Sequence, residues 1–124
     1  MKFPAHYPEF CPPASALEAN GEIYRFVANN DPPQPCDFLS HHLLGKKYDK
    51  GKHCQACGLS VLLTESAVRL YRQIIPSFRK QHVAKGNVAP EWGKIAQTGS
   101  IPHHTWWFSE DKKPECIFKI VKIS

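Results

Sequence analysis

The sequence predicts an α+β fold in which a small, mainly antiparallel sheet packs against one principal helix, and three observations carry that expectation. Short runs rich in β-branched and aromatic residues, at 22–28 and 58–63, stand between turn-forming residues. In one stretch Ala67, Val68, Tyr71, Ile74, Ile75 and Phe78 recur at helical spacing. Eleven prolines in 124 residues demand many irregular connections. At this length the chain makes one domain, with residues 1–21 as a proline-rich arm and 22–124 as the α+β body.

Pro4, Pro8, Pro12 and Pro13 keep the arm extended, with room for one helical turn at 15–20 before Gly21. Residues 22–28 read as a strand, which Asn29-Asn30-Asp31-Pro32-Pro33 ends with turn chemistry. From 34 to 52 the chain is irregular apart from a turn of helix at 38–44, and a connection this long is usually functional or tied down. Residues 58–63 form a buried strand, and Thr64 then caps the main helix with Glu65 in its first turn. Pro76 must kink or split that helix, and Gly86 is its stop. Beyond it come loops with a short strand at 94–97, a strand at 104–109, a turn at 110–114 and a final strand at 116–123.

No run approaches the roughly 20 apolar residues of a membrane span. The N-terminus lacks the apolar core of a signal peptide, which favours the cytoplasm over export. In that setting the five cysteines read as thiols, metal ligands or catalytic groups rather than as a disulfide framework. The net charge of +5 suits an anionic partner, a small molecule or nucleotide first and nucleic acid second, although spread-out lysines also describe an ordinary solvated surface.

Two constellations carry the chemistry. In the first, Cys36, His41, His42, His53, Cys54 and Cys57 fall within 22 positions, and soft sulfur with imidazole is the ligand set of a tetrahedral zinc site. Cys54 and Cys57 have the spacing that lets two thiolates reach one ion, Cys36 offers a third ligand, and His41, His42 or His53 a fourth. Such an ion would tie down the irregular stretch. The alternatives are free thiols flanking a strand, or a redox pair, which needs one thiol activated.

The second constellation is His103-His104-Thr105-Trp106-Trp107. On a strand, His104 and Trp106 face one way and His103, Thr105 and Trp107 the other. An imidazole beside an aromatic wall can hold an aromatic or ribosyl ligand and move protons near neutral pH, whereas a plain core would also use the tryptophans. Arg25, inside an apolar strand, offers a planar fork for phosphate or carboxylate, or else pairs with Asp31, Asp37 or Glu65.

The order Tyr24-Arg25, Leu59-Ser60-Val61 and Pro114-Glu115-Cys116 resembles the Arg-Ser-Glu order of ADP-ribosyltransferase-like domains, over roughly residues 22–123. The fuller Ser-Thr-Ser pattern and a second carboxylate before Glu115 are absent. The resemblance implies NAD as cofactor, Arg25 on its phosphate or ribose, Ser60 on its nicotinamide side and Glu115 as the catalytic carboxylate. A variant of that fold with histidine brings in His104, with Trp106 and Trp107 walling the cleft. It implies a small enzyme acting on NAD or a related nucleotide, as a toxin or defence effector. The competing expectation is a zinc-stapled module that binds a protein or nucleic acid without catalysis.

Overall fold

A computed structural model describes residues 2–29 and 31–123. The strands are β1 (Leu17–Glu18), β2 (Gly21–Val27), β3 (Leu59–Val61), β4 (His82–Val88), β5 (Lys94–Gln97), β6 (His104–Trp107) and β7 (Lys119–Val121), and the α-helices are α1 (His53–Cys57) and α2 (Glu65–Ile74). They build two antiparallel sheets rather than one, ordered β1-β5-β6-β3 and β2-β4-β7. The α+β expectation holds at that level. Among the described residues no helix is long and apolar enough to cross a membrane.

The long helix expected to run to Gly86 stops at Ile74. Thr64 Oγ1 caps its start by accepting from the Ala67 amide at 3.1 Å. At the other end Pro76 cannot donate and forces Ile75 out of the helical region, to φ −122 and ψ 97. Arg79 then satisfies the helix end, its Nε and Nη2 donating to the carbonyls of Arg72 and Gln73 at 2.6 and 2.8 Å. The residues from His82 onward are not helix but β4, the central strand of its sheet, paired with β2 from His82 to Val88 and with β7 from Val83 to Lys85. Gly86 is therefore no helix stop. A Cβ there would stand 2.7–2.8 Å from the Phe118 ring, so glycine is what lets that ring pack on the strand.

Two further expectations are corrected. Residues 15–20 hold no helical turn, because Leu17 and Glu18 pair with Ile95 and Lys94 as an edge strand. The turn of helix expected at 38–44 is a 3-10 turn at Pro35–Phe38 and then hydrogen-bonded turns at 41–45, where the Leu44 amide donates to the Ser40 carbonyl at 2.9 Å without a helix forming. The main core lies between the sheets, with Ile23, Val27, Ala84 and Val88 facing Leu59, Val61 and Trp106, closed by Phe38 and Phe118. A second cluster under α2 joins Tyr24, Leu62, Ala67, Val68 and Val83.

Backbone pairing joins β2 to the chain just after β3 at one bridge. Tyr24 and Leu62 exchange both backbone hydrogen bonds, at 2.7 and 2.8 Å, and no further pairing joins β2 to β3 among the described residues. Arg25 sits next to that bridge on β2 and Ser60 two residues before it on β3.

Candidate functional site

A cleft of about 620 Å³ opens beside β2 and β3. That is the size of a small-ligand site. Arg25 and Ser60 line it from the two sheets, and the stretch from Leu39 to Lys52 forms its far wall, contributing His41, Lys46, Lys47, Lys52, Tyr48 and one carboxylate, Asp49. Phe26 and Phe78, stacked at 4.2 Å, supply an aromatic surface.

Arg25 is a brace as well as a lining residue. Its Nε donates to the Asp37 carbonyl at 2.9 Å and its Nη1 to the Ser60 carbonyl at 2.8 Å. A guanidinium has five donors, so these bonds leave others for the cleft. Burial pushes its pKa down to about 10, against the attraction of the nearby Asp37 charge, and the group stays cationic at neutral pH. The expected pairing with Asp37 is thus real but runs through the backbone oxygen.

The Asp37 carboxylate is occupied otherwise. It accepts from the amides of Ala28, Asn29 and Gln34 at 3.0, 3.3 and 2.8 Å, and from Asn29 Nδ2 at 3.1 Å. Burial alone would raise its pKa; the hydrogen bonds from Gln34, Asn29 and Ala28 outweigh that and hold it below the ordinary value. A depressed folded pKa means the stabilisation is complete above the unfolded carboxyl value, near 3.9, and is lost as pH falls through the lower folded value. Asp37→Asn should cost on the order of 2 kcal/mol at pH 7 and flatten that acid limb. Denaturant midpoints measured from about pH 5 down to pH 2 check both, and an unchanged acid limb in the variant would contradict the assignment.

On the opposite side Ser60 Oγ lies 2.9 Å from His103 Nε2. His103 Nδ1 is 3.1 Å from the Thr98 carbonyl and 2.9 Å from Thr98 Oγ1, which in turn lies 2.7 Å from Thr105 Oγ1. A carbonyl can only accept, so Nδ1 carries the proton, Nε2 is bare, and the Ser60 hydroxyl donates to it. Burial lowers the His103 pKa, opposed by the Thr98 bond and aided by repulsion from His104 and His41, so the imidazole is neutral at pH 7. A hydroxyl held by a neutral imidazole that is itself oriented is an activated-nucleophile geometry.

The remaining expected site residues lie elsewhere. His104 is bonded through Nδ1 to the Pro102 carbonyl at 2.9 Å and does not line the cleft; His103 does not line it either, but reaches the lining residue Ser60 through its Nε2. Trp106 and Trp107 are 0% and 1% exposed, with their indole N–H groups donating to the carbonyls of Trp92 and Cys54. They are core, because β6 is covered on both faces, and Phe26 and Phe78 are the aromatic wall instead. Glu115 sits in a 3-10 turn at Pro114–Cys116, against the Pro35–Phe38 turn, and is not part of the cleft lining.

The metal constellation is also redrawn. Cys54 is not a ligand: it forms a disulfide with Cys11, 43 positions away, which corrects the expectation that all five cysteines are unbridged. Cys36 is exposed beside Asn29, and His41 lines the cleft. His42, His53 and Cys57 do converge, with one ligand atom from each lying within 4.8 Å of the others. The short helix α1 explains the selection. His53 and Cys57 are one turn apart and share a face, while Cys54 points to another. His42 Nδ1 lies 2.8 Å from Tyr48 Oη, a bond that would fix the ring with Nε2 free for a metal. His53 Nε2 is buried with no hydrogen-bond partner, and Cys57 is buried, which raises its thiol pKa. An orphaned imidazole nitrogen beside a buried thiol fits a zinc-class ion, whose binding would deprotonate the sulfur.

Sequence reasoning missed Phe26, Phe78, Tyr48 and Asp49. Phe26 was signalled by its place beside Arg25 on the strand; the others depend on a loop whose path no local pattern sets. Comparison with protein-family models, with curated proteins and with solved structures finds no match to this chain.

Proposed function

We propose that the cleft between β2 and β3 binds an anionic nucleotide, NAD or a relative of it, and that Ser60 with His103 acts on the bound molecule. The observation that carries this reading is the convergence of Arg25 and Ser60, from two different sheets, on one cleft rimmed by Lys46, Lys47 and Lys52. Phosphate would meet the guanidinium and the lysines, and a base would lie on Phe26 and Phe78. A cleft of about 620 Å³ matches one nucleotide better than a nucleic-acid strand. The carboxylate on its lining is Asp49 rather than Glu115, so an ADP-ribosyl transfer in this site would depend on Asp49.

Calorimetric titration with NAD and ADP-ribose tests the proposal. Lys46→Glu with Lys47→Glu, both exposed, should weaken binding at least tenfold at low salt without moving the melting temperature, and the wild-type affinity should fall as salt rises. Ser60→Ala should keep the affinity within about threefold and lose nicotinamide release, since a single neutral hydroxyl contributes little to binding. Equal affinity in the charge-reversed protein would refute the cleft as the site.

A second reading concerns His42, His53 and Cys57, and the unpartnered His53 Nε2 favours it. Zinc there would staple the 42–53 stretch to α1. Tyr48 both lines the cleft and bonds to His42, so the staple would also set the cleft wall.

A further inference from the structure

We infer that His6 is the fourth ligand of a zinc-class divalent cation held by His42, His53 and Cys57, so that metal binding locks the N-terminal arm onto α1. The inference rests on the zinc reading of those three residues and adds its missing corner. A closed tetrahedral site needs four protein ligands, and the cluster supplies three. The His6 ring lies over the His42 ring, with centroids 4.9 Å apart and planes 7° from parallel. Its backbone oxygen is 3.9 Å from Cys57 Sγ, so both faces of the arm residue touch the cluster. The other nearby donors are committed: Cys54 to its disulfide and Tyr48 Oη to His42 Nδ1. Coordination requires the His6 imidazole to turn from its stack toward the ion, with the backbone already in place.

The arm is then held twice. The Cys11–Cys54 bond fastens it through one face of α1, and the ion would fasten it through the face carrying His53 and Cys57. Reduction opens the disulfide but leaves the Cys57 thiol and the imidazoles able to ligate, so a reduced chain would keep its arm docked while loaded.

Co²⁺ titration of the oxidised protein tests this, because the disulfide keeps Cys11 and Cys54 out of the ligand set. The wild type should bind one Co²⁺ with tetrahedral visible absorption and a thiolate charge-transfer band that Cys57→Ser abolishes. His6→Gln should melt as the wild type does without metal, yet bind Co²⁺ at least tenfold more weakly with altered visible absorption. Cleavage after exposed Glu9 by a glutamate-specific protease should be slowed by Co²⁺ in the wild type and not in His6→Gln. Wild-type affinity, spectrum and protection in His6→Gln would overturn the His6 assignment and leave the three-ligand reading standing. No Co²⁺ binding by the wild type would overturn both.

Discussion

Arg25→Ala should lower stability by about 2 kcal/mol and remove anion binding from the cleft. The guanidinium donates to two carbonyls from different parts of the chain, Asp37 on the 3-10 turn and Ser60 on β3. Hydrogen bonds from a charged donor are worth roughly 1.5–3 kcal/mol when buried, and their loss leaves the carbonyls without partners. The Asp37 bond is the more buried of the two, so most of the loss belongs there. Arg25→Lys separates the two roles. It keeps the charge, but one ammonium cannot replace a fork that spans both carbonyls and still faces a phosphate. It should lose about half as much stability as Arg25→Ala, roughly 1 kcal/mol, and at least tenfold in NAD affinity. Denaturant midpoints and calorimetry on the same two variants check this. Wild-type affinity in Arg25→Lys would show that the fork does not face the ligand.

The second large effect is thermal. Zinc at a hundred times its dissociation constant stabilises a folded chain by about 2.7 kcal/mol. For a domain of this size that corresponds to roughly 10 °C in melting temperature. The oxidised wild type should therefore melt that much higher with zinc than with chelator. His53→Gln should abolish the difference, because it removes a ligand from the middle of the set. The disulfide is intact in both measurements and cannot account for the shift. Equal melting temperatures with zinc and with chelator would rule out a structural metal.

How much of this was legible in the sequence depends on whether local chemistry decided it. The β5 strand stood out because Gly93 and Gly99 bracket the short segment that holds it, and the N-cap of α2 because Thr64 precedes a helical pattern. The β4 strand did not, since Gly86 with Lys85 ahead of it reads as a helix stop and the residues before it as the end of that helix. Their pairing with β2 and β7, far away in sequence, overrides local preference. Arg25 and Ser60 were legible as residues out of keeping with their strands. That they share a cleft depends on the Tyr24–Leu62 bridge, which no local pattern announces. The metal group shows the same division. His42, His53 and Cys57 were among the expected ligands, but choosing them needed the five residues from His53 to be helical, which turns the shared face from Cys54 to His53. Cys11 and His6 were invisible because both act across more than thirty residues.

Backbone amide shifts of the ¹⁵N-labelled protein, monitored as NAD is added, test the central claim most directly. The account predicts saturable shifts centred on Arg25, Ser60 and the Lys46–Lys52 wall, with the amides of Glu91 and Lys112, on a separate surface, unmoved. Shifts centred away from the cleft, or none at saturating NAD, would contradict it.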